Sequence, residues 1–408
     1  MTTKYTFRSL LTLLVALVLT AGLAAPAAAH GPRWTATWTQ SMQPPSGEPW
    51  QDPNWSLAGF DDQSLRQELR VSRGGDVLRV TVSNRYGTGP LRLTGATVAK
   101  AAADGAVRPS TLRPLTFGHR VSATVPAGAE RTSDAAFLRV AALEELTVTL
   151  YFSGPTGPAT YHELAGRTSY LADGDHRFDP RASAFTATSG ASYLLSRVDV
   201  GGRPAEAVAA FGDSITDGYG ATPGTDRRYP DRLAERIADA GLPYGVLNTG
   251  IGGNEVLNDN ATGGESALHR FQRDVLDQPG LRTVLILEGV NDIGVAAWLG
   301  RPLTAEMLID GHRALIAAAR AEGVRVVGAT ITPIAGSFYD SPEAEAIRDA
   351  VNDWIRTSGE YDAVVDFDRV LAEPGGDKMR AEYTVGDWLH PNDAGYAAMA
   401  DAVDLASL

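Results

Sequence analysis

The N-terminal half of the chain alternates apolar and polar positions with a period of two residues. Between Trp34 and Val200, segments such as 78–82 (Leu-Arg-Val-Thr-Val) and 146–150 (Leu-Thr-Val-Thr-Leu) would place their apolar side chains on one face of a strand. Turn-forming glycine and proline residues interrupt the alternation at 74–75, 87–90 and 154–155. This spacing of short strands and turns predicts an antiparallel β-sandwich of the jelly-roll type.

The C-terminal half has a different rhythm, which begins after the glycine- and proline-containing segment 201–204. Short apolar runs alternate with helices whose apolar positions recur every three or four residues, as at Leu308, Leu315 and Ile316. The predicted strands are 207–211, 245–247, 283–287, 324–331 and 363–367. The alternation predicts an α/β fold with a parallel sheet, and the active site of such a fold lies at the carboxyl ends of its strands.

One of the predicted helices has recognisable ends. Ser341 can cap it, Pro342 suits its first turn and Gly359 can end it. The last predicted helix spans 392–403.

The first 29 residues have the features of a secretory signal peptide. Lys4 and Arg8 precede an apolar run over 10–23, and three alanines at 27–29 offer a cleavage site. The run is shorter than the roughly 20 apolar residues that a membrane-spanning helix needs, and no later segment qualifies. We therefore expect a secreted protein with no integral membrane segment, divided into a signal peptide 1–29, a β-rich domain 30–202 and an α/β domain 203–408.

Composition narrows the possible partners. The chain has no cysteine, so its cores must be stable without disulfides. Its net charge is −13, and removal of the signal peptide leaves 34 basic against 49 acidic residues, a charge of −15. Binding to nucleic acid needs clustered lysine and arginine, which the sequence lacks, so we expect no nucleic-acid partner. The oligomeric state is not predicted.

A serine follows the first predicted strand of the C-terminal half, in the segment 211–218, Phe-Gly-Asp-Ser-Ile-Thr-Asp-Gly. A strand-to-loop turn of this kind exposes the Ser214 hydroxyl above the sheet and leaves nearby backbone N–H groups free to face a developing oxyanion. Gly-Asp-Ser is also ordinary turn chemistry, so the segment alone predicts little.

A carboxylate stands three residues before a histidine in the segment 387–391, Asp-Trp-Leu-His-Pro. Asp387 can fold back onto Nδ1 of His390, which leaves Nε2 free to accept a proton from a serine. A helix-capping turn is the plainer alternative for this spacing. A metal site built from Asp387, His390 and Asp393 is a third, but no further cluster in the sequence completes its coordination shell, so no metal is expected. The other histidines are scattered along the sequence and are interpreted as surface or structural: His30, His119, His162, His176, His269 and His312.

Two further segments that follow strands combine glycine with a side-chain amide: 248–254, Asn-Thr-Gly-Ile-Gly-Gly-Asn, and 288–292, Glu-Gly-Val-Asn-Asp. A glycine lets a substrate carbonyl approach the backbone N–H, and an asparagine amide adds a donor without charge. Plain loop chemistry accounts for the same residues.

Together, these four segments resemble the sequence blocks of the SGNH hydrolases, also called GDSL-like lipases or esterases, and they occur in the family's order. The family's serine, oxyanion glycine, asparagine, aspartate and histidine match Ser214, Gly253, Asn291, Asp387 and His390. The resemblance covers about 205–408 and implies an SGNH, flavodoxin-like α/β sandwich for that part.

Two positions qualify the match. Ile215 stands where the family name implies leucine, which is a conservative exchange. Gly253 is chosen over Gly250 and Gly252 because it aligns with the end of the Asn-x-Gly-x-x-Gly pattern.

The resemblance implies a serine ester hydrolase that forms an acyl-enzyme on Ser214, with His390 as base and Asp387 as its orienting carboxylate. The N–H groups of Ser214 and Gly253 and the amide of Asn291 would form the oxyanion hole, and neither a metal nor an organic cofactor is implied. The substrate would be a small-molecule or polymer-borne ester.

Four aromatic residues near the predicted loops are candidates to line a substrate pocket: Trp298, Phe338, Tyr339 and Trp388. Two alternatives for the function stay open. The β-rich half could make the chain a carbohydrate- or surface-binding protein, and the same serine site could serve a carbohydrate deacetylase or an acyltransferase.

Overall fold

A computed structural model describes residues 33–47 and 53–408, and the predicted signal peptide lies outside these residues. The N-terminal part consists of strands joined by turns. They are β1 Arg33–Thr39, β2 Gln63–Arg70, β3 Val77–Ser83, β4 Leu91–Leu93, β5 Gly95–Lys100, β6 Arg113–Leu115, β7 Ala123–Val125, β8 Glu130–Thr132, β9 Glu145–Phe152, β10 Tyr161–His162, β11 Ser169–Asp173, β12 Ala187–Ser189, β13 Ser192–Tyr193 and β14 Leu195–Gly202.

Two antiparallel sheets dominate this part, as the period-two alternation predicts. One has the strand order β1-β14-β3-β8 and the other β12-β11-β2-β9-β5-β6, with small two-stranded sheets β10-β13 and β4-β7 beside them. One apolar core takes side chains from both large sheets, for example Val80 of β3 and Val148 of β9, each fully buried. The two sheets therefore form a β-sandwich closed over a shared core.

The C-terminal part is a single parallel sheet with helices between its strands. The strands are β15 Glu206–Gly212, β16 Tyr244–Gly250, β17 Leu281–Leu287, β18 Arg325–Ala329 and β19 Ala363–Val365, in the order β16-β15-β17-β18-β19. The helices are α1 Ser214–Asp217, α2 Tyr229–Asp239, α3 Ala267–Phe271, α4 Val290–Leu299, α5 Ala305–Ala321, α6 Pro342–Thr357, α7 Phe367–Leu371 and α8 Asp393–Ala402. This is the flavodoxin-like strand order, in which β15 lies at the switch point where ligands bind.

Most predicted elements are present, and the differences have local causes. The strand predicted over 363–367 stops at Val365, because the Asp366 side chain accepts the Arg369 N–H and caps α7. The strand predicted over 324–331 covers only Arg325–Ala329. Ser341 caps α6 as expected, accepting the N–H of Ala344 at 3.1 Å.

Strand β1 touches both parts of the molecule. It pairs with β14 in the sandwich, while the Ala36 N–H donates to Pro279 O at 2.8 Å and the Thr39 hydroxyl to Asn248 O at 3.1 Å. Residues Arg33–Leu408 cluster as one compact unit. The proposed domain boundary at 202/203 falls where one sheet ends and the next begins, and it stays a prediction.

None of the helices within 33–47 and 53–408 is both long enough and apolar enough to cross a membrane.

Candidate active site

Ser214 stands at the carboxyl end of β15, where the chain turns into the one-turn helix α1 rather than the loop expected from the sequence. The Asp213 side chain caps this helix by accepting the Ile215 N–H at 2.9 Å. The turn is tight at Gly212, where a Cβ atom would lie 2.0 Å from the Thr216 hydroxyl oxygen. The turn therefore brings the serine above the sheet edge at the first position of a helix.

His390 bridges Ser214 and Asp387. Its Nε2 lies 3.0 Å from Ser214 Oγ, and its Nδ1 lies 2.6 Å from Asp387 Oδ2, although serine and histidine are 176 residues apart. The other Asp387 oxygen accepts the backbone N–H groups of Leu389 and His390, at 3.0 and 2.9 Å. The carboxylate thus binds the backbone of its own turn and holds the ring at the same time. It caps no helix, because the cap of α8 is Asn392. With Nδ1 as the donor to Asp387, Nε2 is the acceptor that faces the serine.

The electrostatics favour an ionised Asp387. Partial burial opposes the charge, but the hydrogen bonds from the ring and backbone of His390, together with the ring's charge when protonated, outweigh it and lower the pKa of Asp387 to about 2.

The glycine segment after β16 leaves one N–H without a partner. The Gly250 N–H donates to the Asn248 side chain at 3.0 Å, and the Gly252 N–H donates to Asp217 Oδ2 at 3.1 Å. The N–H of Gly253 has no hydrogen-bond partner among residues 33–47 and 53–408. Gly253 has φ +76°, a left-handed conformation that glycine adopts without strain.

The Asn291 amide is held by two contacts. Its Nδ2 donates to Asn254 O at 2.9 Å, and its Oδ1 accepts the Tyr339 hydroxyl at 3.0 Å, which leaves one amide hydrogen unused. The Ser214 N–H likewise lacks a partner in the described part of the chain. Ser214, Gly253 and Asn291 line the same pocket. Three N–H donors thus belong to residues that border one space.

Arg270 is buried beneath the site and ties its backbone together. Its guanidinium donates to Gly212 O at 2.9 Å, Thr249 O at 2.7 Å and the Asn254 side chain at 2.8 Å. It also faces Glu288 at 3.3 Å. Because these partners lie at the ends of β15 and β16 and in the glycine segment, Arg270 holds the serine-bearing and glycine-bearing backbones in a fixed relation. Its place in the sequence, inside α3, gives no sign of this role.

Three buried carboxyl groups surround the strand ends. Burial raises the pKa of Asp213 and of Asp292 to about 7, and that of Glu288 well above its ordinary value. Asp292 accepts the N–H groups of Val256 and Leu257, at 2.7 and 3.0 Å, so it braces the loop beyond Gly253.

The pocket in front of Ser214 has a volume of ≈ 890 Å³ and an aromatic side. Trp298 and Phe338 are 60% and 51% exposed, and their rings lie 5.6 Å apart. Tyr339 packs 4.6 Å from the Phe338 ring, and Tyr219 lies 4.4 Å from the His390 ring. The aromatic residues that line the pocket are Tyr219, Trp298, Phe338 and Tyr339. Residues 260–262 also line the pocket. The Asn260 amide nitrogen donates to Gly253 O and to the Glu255 carboxylate, so Thr262 supplies the polar group of this segment.

One expectation about this pocket was wrong, and one residue that lines it was not predicted. Trp388 does not line it, because its ring lies under Lys378 Nζ, at 3.7 Å. Tyr219 does line it, although nothing in its sequence position signals this.

The metal alternative does not fit the geometry. The Asp393 carboxylate accepts the N–H and the hydroxyl of Thr222, both at 2.8 Å, rather than joining Asp387 and His390. Among residues 33–47 and 53–408, no group of three or more His, Asp or Glu side chains is arranged to hold a metal ion.

Four of the histidines interpreted as surface or structural lie beside a carboxylate in space. None of these carboxylates stands three residues before its histidine in the sequence, so the Asp-x-x-His spacing does not reveal the pairs. The pairs are His162–Asp217 at 3.0 Å, His269–Asp259 at 2.8 Å, His176–Asp179 at 3.6 Å and His119–Asp134 at 4.0 Å.

Comparison with known families supports the resemblance. Residues 210–398 match the sequence model of the GDSL-like lipase/acylhydrolase family, and this range includes all five candidate site residues. Among curated proteins, none matches the chain.

Solved structures similar to this chain cover about half of it. One is the native aryl esterase of M. smegmatis, with 16% identity, 48% of this chain and 96% of that chain covered, and a TM-score of 0.40. A variant acetyl xylan esterase from Geobacillus stearothermophilus has 22% identity, 48% and 92% coverage, and a TM-score of 0.39. A protein described as lipolytic and of the G-D-S-L family, from Desulfitobacterium hafniense, has 22% identity, 49% and 97% coverage, and a TM-score of 0.37.

Proposed function

We propose, from the premise that residues 210–398 form a GDSL-like lipase/acylhydrolase domain, that this chain is a secreted serine esterase that cleaves carboxylic esters. The observation that carries the proposal is the continuous contact from Ser214 Oγ through His390 to Asp387, at 3.0 and 2.6 Å. Secretion rests on the N-terminal sequence, where two basic residues precede an apolar run and an alanine-rich cleavage site.

Acylation begins when His390 Nε2 takes the Ser214 proton as Oγ attacks the ester carbonyl carbon. The carbonyl π electrons move to the oxygen, which becomes an oxyanion. The ionised Asp387 holds the ring through Nδ1 and stabilises the imidazolium that forms. When the intermediate collapses, the C–O bond to the leaving group breaks, and His390 gives its proton to the departing alcohol. The acyl group stays on Ser214.

The oxyanion would be bound by donors that make no other hydrogen bond within the described part of the chain. These are the N–H groups of Ser214 and Gly253 and the free amide hydrogen of Asn291. Because Tyr339 and the Asn254 carbonyl already hold the Asn291 amide, this donor is fixed before the charge develops. Donors that need no reorganisation stabilise the charged intermediate more than the neutral ester.

Deacylation repeats the steps with water. His390 removes a proton from water, the hydroxide attacks the acyl carbon, and the second intermediate expels Ser214 Oγ, which recovers its proton from His390. The products are a carboxylic acid and an alcohol. An alcohol in place of water would make the same site an acyltransferase.

The test is hydrolysis of a series of p-nitrophenyl esters, from acetate to palmitate, by the secreted protein and by Ser214→Ala. We expect the substitution to lower kcat by about 10⁴-fold or more, because it removes the nucleophile. Ser110→Ala, at an exposed turn, is the matched control and should retain full activity. Activity that survives Ser214→Ala and falls on addition of a chelator would contradict the serine mechanism.

A second candidate, removal of acyl groups from a carbohydrate, is favoured by the mixed lining of the pocket. The lining includes the exposed rings of Trp298 and Phe338 and the side chain of Thr262, which carries a hydroxyl. Aromatic faces and neutral polar groups together suit a sugar ring that carries an ester. Release of acetate from acetylated xylan, compared with p-nitrophenyl acetate, decides between the two. A much higher kcat/KM on the polysaccharide would favour the carbohydrate substrate.

A further inference from the structure

A buried ion pair joins the β-rich part of the chain to the serine-bearing helix. His162 of β10 places Nε2 3.0 Å from Oδ1 of Asp217, the last residue of α1, and both side chains are only 2% exposed. Asp217 lies three residues after Ser214. The proposed mechanism uses neither member of the pair.

The surroundings of the ring show its protonation state. His162 Nδ1 lies 2.7 Å from the Ser41 carbonyl oxygen, and Nε2 faces both Asp217 Oδ1 and the Leu164 carbonyl oxygen, at 3.2 Å. Carbonyl and carboxylate oxygens only accept hydrogen bonds, so both ring nitrogens must donate. With Asp217 ionised, the ring is therefore an imidazolium. Burial opposes this charge, but Asp217 outweighs it and raises the pKa of His162.

The other Asp217 oxygen reaches the glycine segment. Oδ2 accepts the N–H of Gly252, at 3.1 Å, and the next residue is Gly253, whose own N–H has no partner among the described residues. The segment is seated closely on α1, since a Cβ atom at Gly250 would lie 2.3 Å from the backbone nitrogen of Asp217. One carboxylate thus accepts from His162 on one side and from the Gly252 backbone on the other.

We propose that His162 is a positioning residue of the esterase site, which acts through Asp217 and Gly252 to aim the Gly253 N–H at the oxyanion. The inference rests on the proposed function, and it gives the β-rich part of the chain a role in catalysis. The imidazolium fixes which Asp217 oxygen faces the glycine segment, because the oxygen bound to His162 cannot turn away without leaving a buried charge unpaired.

A purely structural role makes a different prediction. Removal of one partner of a buried ion pair leaves the other charge uncompensated, so a purely structural role predicts a lower melting temperature and no other change. A positioning role changes the binding of the tetrahedral state more than that of the ester, because the Gly253 N–H engages the oxyanion only in that state. The ratio of these two affinities separates the roles.

The experiment compares wild type, His162→Asn, Asp217→Ala and His119→Asn with p-nitrophenyl acetate as substrate and phenylboronic acid as a tetrahedral adduct former. We expect His162→Asn and Asp217→Ala to lower kcat by about 10- to 100-fold, with KM within about threefold, because one oxyanion donor is displaced. The affinity for phenylboronic acid should fall by a similar factor in both variants. His119→Asn is the matched control, because the His119 side chain is 96% exposed beside Asp134. This variant should change neither kcat nor the affinity for the boronic acid.

The double variant His162→Asn with Asp217→Ala tests whether the two residues act along one path. We expect the double variant to be no less active than the less active of the two single variants, because effects carried by the same contact do not add. Unchanged kcat and boronic acid affinity in the folded single variants would overturn the inference, as would multiplying losses in the double variant.

Folding and the basic chemistry are controlled separately. If His162→Asn does not fold, Asp217→Ala alone decides, since it removes the acceptor for Gly252 and leaves His162 free to become neutral. A wild type without Ser214-dependent hydrolysis would refute the proposed function itself. Full Ser214-dependent hydrolysis in His162→Asn would refute only the positioning role.

Discussion

At the scale of single residues, Asp387 carries two duties with one carboxylate. One oxygen accepts hydrogen bonds from the backbone N–H groups of Leu389 and His390. The other accepts a hydrogen bond from Nδ1 of the His390 ring, at 2.6 Å. The backbone contacts hold the carboxylate in place, so the ring is oriented without a separate structural element. The low pKa of Asp387, about 2, keeps the group ionised throughout the range in which an esterase works.

Asp387→Asn tests this duty. An amide nitrogen turned towards Nδ1 would favour the tautomer with the proton on Nε2, which cannot accept from Ser214. We expect kcat to fall by about 10⁴-fold, with little change in fold. The measurement is p-nitrophenyl acetate hydrolysis, with circular dichroism to check folding. Asp353→Asn, whose side chain is 80% exposed, is the control. Retention of more than a tenth of the activity would contradict the assigned role.

At the scale of elements, the pocket depends on how α4 packs against the segment after β18. Gly294 of α4 lies directly under the Tyr339 ring, where a Cβ atom would come within 2.0 Å of Cδ1. Tyr339 in turn donates its hydroxyl to Asn291 on the same helix. The glycine therefore sets the height of an aromatic side chain that holds a proposed oxyanion donor.

Gly294→Ala should disturb the site without abolishing the fold. Overpacking of this kind costs about 1–3 kcal/mol and pushes the ring away from Asn291. We expect a lower melting temperature and a kcat reduced by about tenfold or more, since a displaced donor loses its alignment. Gly154→Ala is the control for replacing a glycine by alanine, because a Cβ atom at this position meets nothing within 4 Å. Equal behaviour of the two variants would show that α4 tolerates the extra methyl group.

Helix α5 carries a titratable group that the proposed chemistry does not use. His312 is fully buried, with Nδ1 2.7 Å from the Tyr361 hydroxyl. Burial lowers the pKa of His312 from 6.5 to about 4. Between these values the unfolded chain binds a proton that the folded protein does not bind. Stability is therefore lost as the pH falls through this range.

His312→Gln should remove this acid sensitivity. The wild type should lose about 3 kcal/mol of unfolding free energy relative to the variant as the pH falls from 6.5 to about 4. Urea unfolding at several pH values measures the difference, in which the contributions of the other titrating groups cancel. A difference between the two proteins that does not change with pH would disprove the assignment.

At the scale of the whole molecule, the sandwich and the parallel sheet share contacts that neither would have alone. The guanidinium of Arg167 donates to Asp226 at 2.9 Å, with the two side chains only 9% and 7% exposed. Nε of Arg70 lies 3.1 Å from Oδ2 of the same carboxylate. Removal of one partner from such a cluster leaves a buried charge uncompensated, which is costly.

We expect the full chain to unfold in one cooperative thermal transition. A fragment 203–408 should melt at a lower temperature or precipitate, because it lacks the contacts of β1 with Pro279 and Asn248 and leaves Asp226 without Arg70 and Arg167. Calorimetry of both proteins makes the comparison. A fragment with the melting temperature of the full chain would mean that the two parts are independent.

Much of the site could be predicted because its signals are local. Asp387 and His390 are three residues apart, so one turn decides their contact, and Ser214 follows a strand whose apolar run is visible in the sequence. The sequence pointed to three glycines without a physical reason to choose among them. Among the described residues, the N–H groups of Gly250 and Gly252 have partners and that of Gly253 has none, which supports Gly253 as the donor that we propose.

The sequence by itself determined the order of strands and helices, the change from antiparallel to parallel sheet near residue 203, and the Ser-Asp-His set, because each depends on periodicity or spacing within a few residues. Only the tertiary structure decided which aromatic residues face the pocket, that Arg270 holds the strand ends, and that His162 meets Asp217 across 55 residues of sequence. These contacts depend on how segments that are distant in the sequence pack against one another, so they cannot be predicted from a local sequence pattern.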